Sequence, residues 1–458
     1  MISLPQGKKI HIVGIGGVGL SAIARVLLEK GYQISGSDRQ TNALTKALEA
    51  DGATIFIGHH ADHVQQADAL IVTSAVQPNH VEIVAAHALG IPVYDRRAIL
   101  SWLLEGRRVI AVAGTHGKTT TTAMIAHTLT ACGLNPGYIV GGTMKNTHTN
   151  ASWGKGDWFV IEADEYGYMF HGLFPHVEVV TNVEWDHPDL FPTPIAFYTA
   201  FEQFRDQLQA DGVLFACGDD RGAALLAETT THAVTTPYGL NPDLPIHARD
   251  LHMTPEGTRF TASFPNLEPQ IVMMPIPGNH NVQNALVTLA VAQYCGADLS
   301  RAIQALGQFE GTGRRFDLRF DQHGIALIDD YAHNPTKIQA ALQASRARYP
   351  DREIWAIWQP HTYSRTQTLN HLYLQSFADA DHVIVTDIYA AREQPIEGVS
   401  AAIFVEALQH PDARYAPSFD AALEMLDQVQ PPAVILVMSA GDATQITDRY
   451  QAKKSTNI

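Results

Sequence analysis

The sequence predicts an α/β protein of three domains with largely parallel sheets. Its 458 residues are too many for one compact core, since a domain averages about 150 residues. Short apolar runs alternate with helical stretches along nearly the whole chain, as in layered α/β folds. At three places a predicted strand leads into an unusual loop and then a helix, and these three units define the domains.

We place the domains at residues 1–106, 107–312 and 313–458. Two glycine-containing peptides are suited to be hinges between them, Gly106-Arg107-Arg108 and Gly311-Thr312-Gly313.

Composition restricts the class of function. Hydrophobic residues make up 46% of the chain and charged residues 17%, which is typical of a globular protein with a sizeable core. The net charge of −16 argues against a nucleic-acid or anionic-membrane partner, because phosphate backbones are bound by basic patches. The sequence contains no run of about 18 apolar residues, so it predicts no membrane-spanning helix. The three cysteines lack metal-ligand spacing, so we expect buried thiols and a cytoplasmic protein.

The first unit is a glycine-rich loop after the strand Lys9–Val13, followed by the helical run Leu20–Lys30 and a strand ending at Asp38. Its GxGxxG motif is formed by Gly14, Gly16 and Gly19. Such a Rossmann-like loop lets a diphosphate approach the backbone at a helix N-terminus, as NAD, FAD or a UDP-sugar would. Alternatively, the glycines serve only packing and Asp38 is a solvated strand end.

The second unit is a phosphate-binding loop, Gly114–Thr119, between the strand Arg108–Ala113 and a helix that ends near Gly133. Lys118 is suited to bridge β- and γ-phosphates, and the Thr119 hydroxyl to bind Mg²⁺. The usual P-loop motif has a further glycine where this chain has Val112, so the loop is a shortened variant. The alternative is a strand–turn–helix junction that needs glycine only for its geometry.

Acidic residues follow two apolar strands of the central domain. Glu162, Asp164 and Glu165 end the first strand, and Glu184, Asp186 and His187 follow the run Val177–Asn182. Carboxylates at the carboxyl ends of parallel strands, beside a phosphate loop, suit Mg²⁺. The clustering favours a magnesium site without identifying its individual ligands.

The third unit joins the strand Ile325–Ile328 to the segment DDYAHNPTK and a helix, and then the strand Ile354–Trp358 to QPHTYSRT. The apolar runs Val383–Thr386 and Val434–Met438 extend the same sheet.

Together these segments resemble the Mur ligases of peptidoglycan synthesis, most closely their alanine-adding branch. The blocks that carry the resemblance occur in the family's order from residue 10 to about 366: GIGGVGLSAIARVLLEKGYQISGSD, AGTHGKTTTT, EADEY, TNVEWDHPD, GNHNVQNALVTLAVA, GTGRRFD, DDYAHNPT and QPHTYSRT. The resemblance implies that the first domain binds a UDP-sugar, the second binds ATP and the third closes over them.

The resemblance also assigns residues to ligands. For the UDP-sugar it implies Gly14, Gly16, Gly17, Val18, Gly19, Asp38, Ser74 and His116. For ATP it implies Gly114, Thr115, His116, Gly117, Lys118, Thr119, Thr120, His280, Asn281, Asn284, Arg315 and Asp330. For Mg²⁺ it implies Thr119, Glu162 and His187, and for the incoming amino acid His333, His361 and Arg365. The expected catalytic residues are Lys118, Glu162, His187 and Arg315.

The chain also departs from the family's patterns. Asn334 and Thr362 replace a histidine and an arginine that are usual in the alanine-adding branch. Some sibling ligases use a carbamylated lysine, whereas this chain has no lysine between Lys155 and Lys337.

The implied reaction has two steps. The carboxylate of UDP-N-acetylmuramate attacks the γ-phosphate of ATP, and the amine of L-alanine then displaces phosphate from the acyl phosphate. Three alternatives are a ligase that adds a whole tripeptide (L-Ala-γ-D-Glu-meso-diaminopimelate), a nicotinamide dehydrogenase and a non-catalytic UDP-sugar sensor. We expect a monomer or homodimer with no nucleic-acid partner and no membrane insertion.

Overall fold

The computed structural model describes residues 2, 4, 7–73, 76–188, 190–254, 257–391 and 393–456. They form two compact units. Unit 1 comprises residues 1–250, 260–273 and 280–310, and unit 2 comprises residues 251–259, 274–279 and 311–458. The predicted boundaries at 106 and 312 stay predictions.

A five-stranded sheet begins the chain. Its strands are β1 Lys9–Val13, β2 Gln33–Asp38, β3 Thr54–Ile57, β4 Ala69–Val72 and β5 Val93–Asp95. Its helices are α1 Val18–Glu29, α2 Ala43–Ala50, α3 Val81–Ala88 and α4 Arg96–Leu103, and a short 3-10 helix spans Ala61–Val64. The strand order β3-β2-β1-β4-β5, with parallel pairs throughout, is that of a Rossmann-like doubly wound sheet without its sixth strand. The carboxyl end of β1 therefore lies where the order reverses, which is where such sheets bind ligands.

A ten-stranded sheet follows. Its strands are β6 Arg108–Ala113, β7 Gly137–Met144, β8 Thr149–Ser152, β9 Trp158–Glu162, β10 Val177–Val180, β11 Val213–Cys217, β12 Val234–Gly239, β13 Ile246–Thr254, β14 Gly257–Ser263 and β15 Gln270–Met274. Its helices are α5 Lys118–Ala131, α6 Pro194–Arg205, α7 Arg221–Thr229, α8 Asn279–Tyr294 and α9 Leu299–Leu306, with a 3-10 segment at Tyr166–Gly172. The parallel strands β9 and β10 flank β6, so the acids after both strands lie at the same sheet edge as the phosphate loop.

The last sheet lies in unit 2. Its strands are β16 Asp317–Gln322, β17 Ile325–Asp330, β18 Glu353–Trp358, β19 His382–Thr386, β20 Ala413–Ala416 and β21 Ala433–Met438. Its helices are α10 Pro335–Arg348, α11 Tyr363–Thr368, α12 Asn370–Tyr373, α13 Ala401–Ala407, α14 Phe419–Leu426 and α15 Thr444–Thr456. All pairs are parallel except β16 with β17. The central strand β21 is buried along its whole length, as its uninterrupted apolar sequence predicts.

The α/β fold with largely parallel sheets is confirmed, and each of the three predicted domains contains one of the three sheets. The expectation of three buried thiols was wrong for two of them. Cys217 is buried in β11, whereas Cys132 caps the end of α5 and Cys295 follows the end of α8, and both are partly exposed. Helix ends reach the surface more readily than strand interiors. No helix among the described residues is long and apolar enough to span a membrane.

Candidate active site in unit 1

The phosphate loop requires glycine at its first and fourth positions. Gly114 has φ +135°, and a Cβ atom there would lie 2.1 Å from Thr181 Oγ1. Gly117 has φ +80° and caps the N-terminus of α5, which begins at Lys118. The loop thus leads directly into the N-terminus of α5 at the edge of the sheet, a geometry that favours anions.

Hydrogen bonds fix this loop to the residues that follow β10. The Thr115 hydroxyl donates to the Glu184 carbonyl at 2.7 Å and accepts from the Glu184 backbone N–H at 2.9 Å. The His116 N–H donates to Asn182 Oδ1 at 2.8 Å, and the Thr181 hydroxyl donates to the His116 carbonyl at 2.5 Å. β10 therefore ends at Val180, two residues earlier than predicted, because the next side chains bind the loop.

Lys118 lies in a cluster with Glu165 and His187. Its ammonium donates to Glu165 Oε2 at 2.6 Å, and His187 Nε2 lies 3.5 Å from Glu165 Oε1. Burial alone would lower the pKa of Lys118, but the charges of Glu165, Asp164 and Glu162 outweigh it and raise that pKa. Burial would raise the pKa of Glu165, yet Lys118 and His187 lower it to about 2. The cluster therefore holds a charged ammonium against a charged carboxylate.

Thr119 and Glu162 form the second part of the site. The Thr119 hydroxyl donates to Glu162 Oε1 at 3.1 Å, and the Gly141 N–H donates to Glu162 Oε2 at 2.8 Å. A Cβ atom on Gly141 would lie 2.2 Å from Glu162 Oε2, so only glycine lets the carboxylate take this position. Two of the three predicted magnesium ligands are thus adjacent, while His187 contacts Glu165.

The other predicted residues of unit 1 lie partly around the same loop. Asn284 Nδ2 donates to Asn281 Oδ1 at 3.2 Å, and a Cβ atom on Gly117 would lie 3.1 Å from Asn284 Oδ1. His280 is exposed at the start of α8, and Thr120 is partly exposed on α5. The structure therefore brings the two asparagines to the phosphate loop.

The glycine-rich loop at residues 14–19 has the geometry expected of a diphosphate site. Gly14 has φ +79°, and α1 begins at Val18 with Gly17 as its N-cap. The Gly16 N–H donates to Asp38 Oδ2 at 2.8 Å, so this carboxylate shapes the loop instead of lying free in solvent. The predicted Ser74 lies outside the described residues.

Arg96 connects the glycine-rich loop to the acidic segment after β9 within unit 1. Its Nη1 lies 3.3 Å from Asp164 Oδ2, two residues after Glu162. A Cβ atom on Gly19 would lie 2.9 Å from Arg96 Cζ, which places the guanidinium directly against the glycine-rich loop. This contact offers a positive charge beside a loop suited to a diphosphate.

The remaining predicted residues lie in unit 2. Asp330 accepts hydrogen bonds from the backbone N–H groups of Phe316, at 2.6 Å, and Ala332, at 2.7 Å. Burial raises the pKa of Asp330, against the opposing charge of Arg315. The guanidinium of Arg315 also lies 4.7 Å from the ring centroid of Tyr331. Arg315 and Asp330 are therefore neighbours, as two nucleotide ligands would be.

The residues predicted to hold the amino acid are only partly brought together. The rings of His333 and His361 lie 5.8 Å apart, and His361 also stacks with Tyr389 at 5.7 Å. Arg365 is buried in α11, just after Thr362, whose φ of +65° is strained for a β-branched residue. Asn334 caps α10, with its side chain accepting from the Lys337 N–H at 3.0 Å. The two departures from the family's patterns, Asn334 and Thr362, therefore set the backbone at the starts of α10 and α11.

Sequence reasoning did not single out Glu165, although it is the buried partner of Lys118. It also did not assign roles to Thr181, Asn182 and Glu184, which hold the phosphate loop. The two acidic segments indicated that a site lies here. The sequence does not distinguish the acids within each segment, because the backbone conformation decides which side chain faces the loop.

Three family models match the chain in order. They are the Mur ligase family catalytic domain over residues 9–108, the Mur ligase middle domain over residues 112–292, and the Mur ligase glutamate ligase domain over residues 314–441.

Relatives match along nearly the full length. A UDP-N-acetylmuramate–L-alanine ligase of Roseiflexus sp. (strain RS-1) is 40% identical over 95% of this chain and 97% of its own length. One of Thermobifida fusca (strain YX) is 40% identical over 96% of this chain and 95% of its own length.

Solved structures of similar proteins are also Mur-type ligases. The UDP-N-acetylmuramate-alanine ligase of Thermotoga maritima superposes with a TM-score of 0.85 at 27% identity, covering 98% of this chain and 100% of that protein. A murein peptide ligase of Psychrobacter arcticus gives 0.74 at 26% identity, covering 97% and 98%. With all three models matched and relatives at 40% identity across its length, the chain belongs to the Mur ligase family.

Proposed function

We propose that this chain joins L-alanine to the carboxylate of UDP-N-acetylmuramate through an acyl phosphate, at the expense of ATP. The observation that carries the proposal is the 40% identity, over 95% of the chain, to a ligase with this activity in its name. The geometry of the phosphate loop supports the same reaction.

Lys118 is the residue we assign to the γ-phosphate. Its charge is maintained by Glu165, and it extends from the N-terminus of α5, where backbone N–H groups add to the positive potential. As the carboxylate attacks, negative charge spreads over the phosphoryl oxygens, and a fixed ammonium stabilises it without reorganisation. For Arg315, which lies in unit 2, a role at the γ-phosphate stays the prediction that follows from the resemblance.

The donor set of Thr119 and Glu162 fits Mg²⁺. Both offer oxygen atoms, which this ion prefers, and they are already adjacent at 3.1 Å. When bound, the ion would neutralise phosphate oxygens. His187 offers a nitrogen, and its contact with Glu165 gives it a second role as a positioning residue for Lys118. We retain His187 as the third Mg²⁺ ligand that the resemblance implies.

The glycine-rich loop is the site that we assign to the UDP diphosphate. Its backbone lies at the N-terminus of α1, with Arg96 against Gly19. Asp38 fixes the backbone of the loop by accepting a hydrogen bond from the Gly16 N–H. A cytoplasmic location and a monomeric or dimeric state are the corresponding predictions for the whole protein.

A second candidate is the addition of an intact tripeptide to the same sugar. It is favoured by the structural match to a murein peptide ligase, with a TM-score of 0.74, below the 0.85 of the alanine ligase. Both reactions use the same acyl phosphate, so they differ only in the amine that attacks it.

The acyl phosphate is tested by isotope transfer. UDP-N-acetylmuramate labelled with ¹⁸O in its carboxylate is incubated with ATP, Mg²⁺ and L-alanine, and the released phosphate is analysed by mass spectrometry. The proposal expects one ¹⁸O atom in each phosphate, because the carboxylate oxygen that attacked phosphorus leaves with it. Unlabelled phosphate would contradict the proposal. Lys118→Ala should abolish the transfer while UDP-N-acetylmuramate still binds.

A further inference from the structure

Four histidines surround one buried glutamate in the first sheet. The residues are His11 on β1, His59 after β3, His63 on the 3-10 helix Ala61–Val64, His80 before α3, and Glu82 in the first turn of α3. The Glu82 side chain is fully buried. His11 is equally buried, whereas the side chains of His59, His63 and His80 are 22%, 17% and 18% exposed. His11 and Glu82 are therefore shielded from solvent, while the other three histidines are partly accessible to it.

The two oxygens of Glu82 serve different neighbours. Oε1 lies 2.8 Å from His63 Nδ1 and 3.7 Å from His11 Nε2. Oε2 accepts from the Ser37 hydroxyl at 2.7 Å and lies 3.3 Å from His59 Nδ1. Oε1 also accepts from the His60 backbone N–H at 3.4 Å, so its neighbours among the described residues include two imidazoles and no hydroxyl donor.

His11 directs one of its two ring nitrogens towards Glu82. Its Nδ1 lies 2.9 Å from Ser35 Oγ, while its Nε2 is buried and makes no hydrogen bond within the described part of the chain. If Nδ1–H donates to the serine hydroxyl, Nε2 directs a lone pair towards Glu82. A second-shell hydrogen bond of this kind fixes the tautomer of metal-binding histidines.

The ligand atoms are spaced as a metal ion needs them. His11, His63 and Glu82 each offer one atom, and the three atoms lie within 4.8 Å of one another. Zinc bonds of about 2.0–2.2 Å put neighbouring ligand atoms about 3.4 Å apart. The distance of 3.7 Å is close to this value, and the contact of 2.8 Å needs a small opening. The His63 ring is stacked on Phe56 at 4.2 Å, which limits its movement to sliding on that face.

We propose that His11 Nε2, His63 Nδ1 and Glu82 Oε1 form a binding site for a divalent transition-metal ion of the zinc type. Two imidazoles and one carboxylate suit such an ion better than Mg²⁺. The site is distinct from the phosphate loop. It is also close to the glycine-rich loop, because the Ser37 carbonyl accepts from the Gly14 N–H at 2.8 Å and its hydroxyl donates to Glu82. Occupancy would therefore stabilise the strand end that carries this loop.

A matched pair of variants tests the site. The metal-free full-length protein is titrated with Co²⁺, whose visible absorption reports nitrogen and oxygen coordination, and with Zn²⁺ in a calorimeter. With the phosphate-loop site saturated by Mg²⁺, the proposal expects one Co²⁺ or Zn²⁺ ion per chain and an affinity at least about tenfold lower in His63→Gln. His80→Gln, which lies beside the same carboxylate but on its Oε2 side, should bind as the parent protein does.

Two further measurements distinguish loss of this metal site from metal binding elsewhere and from unfolding. His382→Gln should leave the Co²⁺ spectrum unchanged, since that residue pairs with Asp412 in unit 2 and belongs to neither proposed metal site. Circular dichroism of the metal-free variants checks that they are folded. The proposal is overturned if the parent protein gives no Co²⁺ absorption at micromolar metal. It is equally overturned if folded His63→Gln binds as tightly as the parent, or if His80→Gln alone loses the ion.

Discussion

Lys118 Nζ lies 2.6 Å from Glu165 Oε2, and the other oxygen of the same carboxylate lies 3.5 Å from His187 Nε2. The Glu165 side chain is only 2% exposed and that of Lys118 is 12% exposed, so this is a largely buried ion pair. In this structure the ammonium of Lys118, which we assign to the γ-phosphate, is thus paired with the Glu165 carboxylate.

Glu165→Gln should destabilise the nucleotide-free protein by about 3 kcal/mol, because removing one partner leaves a buried charge unpaired. Saturating ATP and Mg²⁺ should reduce this loss, since phosphate oxygens then become partners of the ammonium. Denaturant unfolding with and without nucleotide measures both values.

Glu184→Gln is the matched control. Glu184 is paired with His116 of the same loop at 2.6 Å but is 49% exposed, so its loss should cost less than about 1 kcal/mol. A loss in Glu165→Gln that nucleotide does not change would contradict the proposed exchange of partners.

Glu178 should make the protein less stable as pH rises from about 4.5 to about 8. Both of its oxygens are buried in β10 without a hydrogen bond to any described residue, and burial raises its pKa to about 8 against the opposing charge of Arg205. The unfolded chain ionises near 4.5, so the unfolded state releases its proton first and stability falls across this window. The full effect is at most about 5 kcal/mol.

Glu178→Gln should remove that pH dependence. The difference in unfolding free energy between variant and parent should grow towards pH 8, measured by denaturant titration at several pH values. Glu228→Gln, on the exposed end of α7, should show no such trend. A constant difference for Glu178→Gln would show that this carboxyl group titrates normally.

Gly141→Ala should weaken the response to Mg²⁺. The added methyl group would lie 2.2 Å from Glu162 Oε2, and the carboxylate would have to leave its position beside Thr119. Loss of an orienting contact to a metal ligand typically costs about 10- to 100-fold in affinity. We expect the Mg²⁺ concentration at half-maximal rate to rise about tenfold while the rate at saturating Mg²⁺ changes little. An equal fall in rate at all Mg²⁺ concentrations would contradict this role.

Gly16→Ala should weaken binding of UDP-N-acetylmuramate. A Cβ atom there would lie 2.8 Å from Asp38 Oδ2 and 2.9 Å from Asn42 Nδ2, so the loop must deform. We expect about a tenfold rise in Kd, or about 1.4 kcal/mol, by calorimetry, with ATP affinity unchanged. Gly31→Ala is the control, because its Cβ would meet no atom within 4 Å; its φ of +86° strains the backbone outside the loop, so it reports the effect of strain without a clash at Asp38. An ATP-binding defect in Gly16→Ala would contradict the separate assignment of the two loops.

The fold was largely predictable because apolar strands and glycine loops recur in a fixed order. The strand Arg108–Ala113 was predicted with the bounds it has, and α1 begins two residues earlier than the predicted run because Gly17 caps it. The site was only partly predictable. Lys118 and Thr119 follow from the loop motif, whereas the pairing of Glu165 with Lys118 depends on how the backbone turns after β9. That turn includes positive φ angles at Gly167 and Tyr168, which the sequence pattern does not reveal.

The same limit applies to the histidine cluster around Glu82. Its members come from β1, the segment after β3, a 3-10 helix and the start of α3, so they are up to 71 positions apart in the chain, from residue 11 to residue 82. Only the parallel order of β1, β2 and β4 brings these segments to one side of the sheet.

The most direct test of the proposed activity is the mass of the product formed from UDP-N-acetylmuramate and ATP with Mg²⁺. Parallel reactions contain L-alanine, L-serine, glycine or the L-Ala-γ-D-Glu-meso-diaminopimelate tripeptide, and phosphate release is followed alongside. We expect phosphate and a product heavier by one alanine residue, formed fastest with L-alanine. Turnover with the tripeptide alone, or no turnover with any amine, would contradict the assignment of this chain as an alanine-adding ligase.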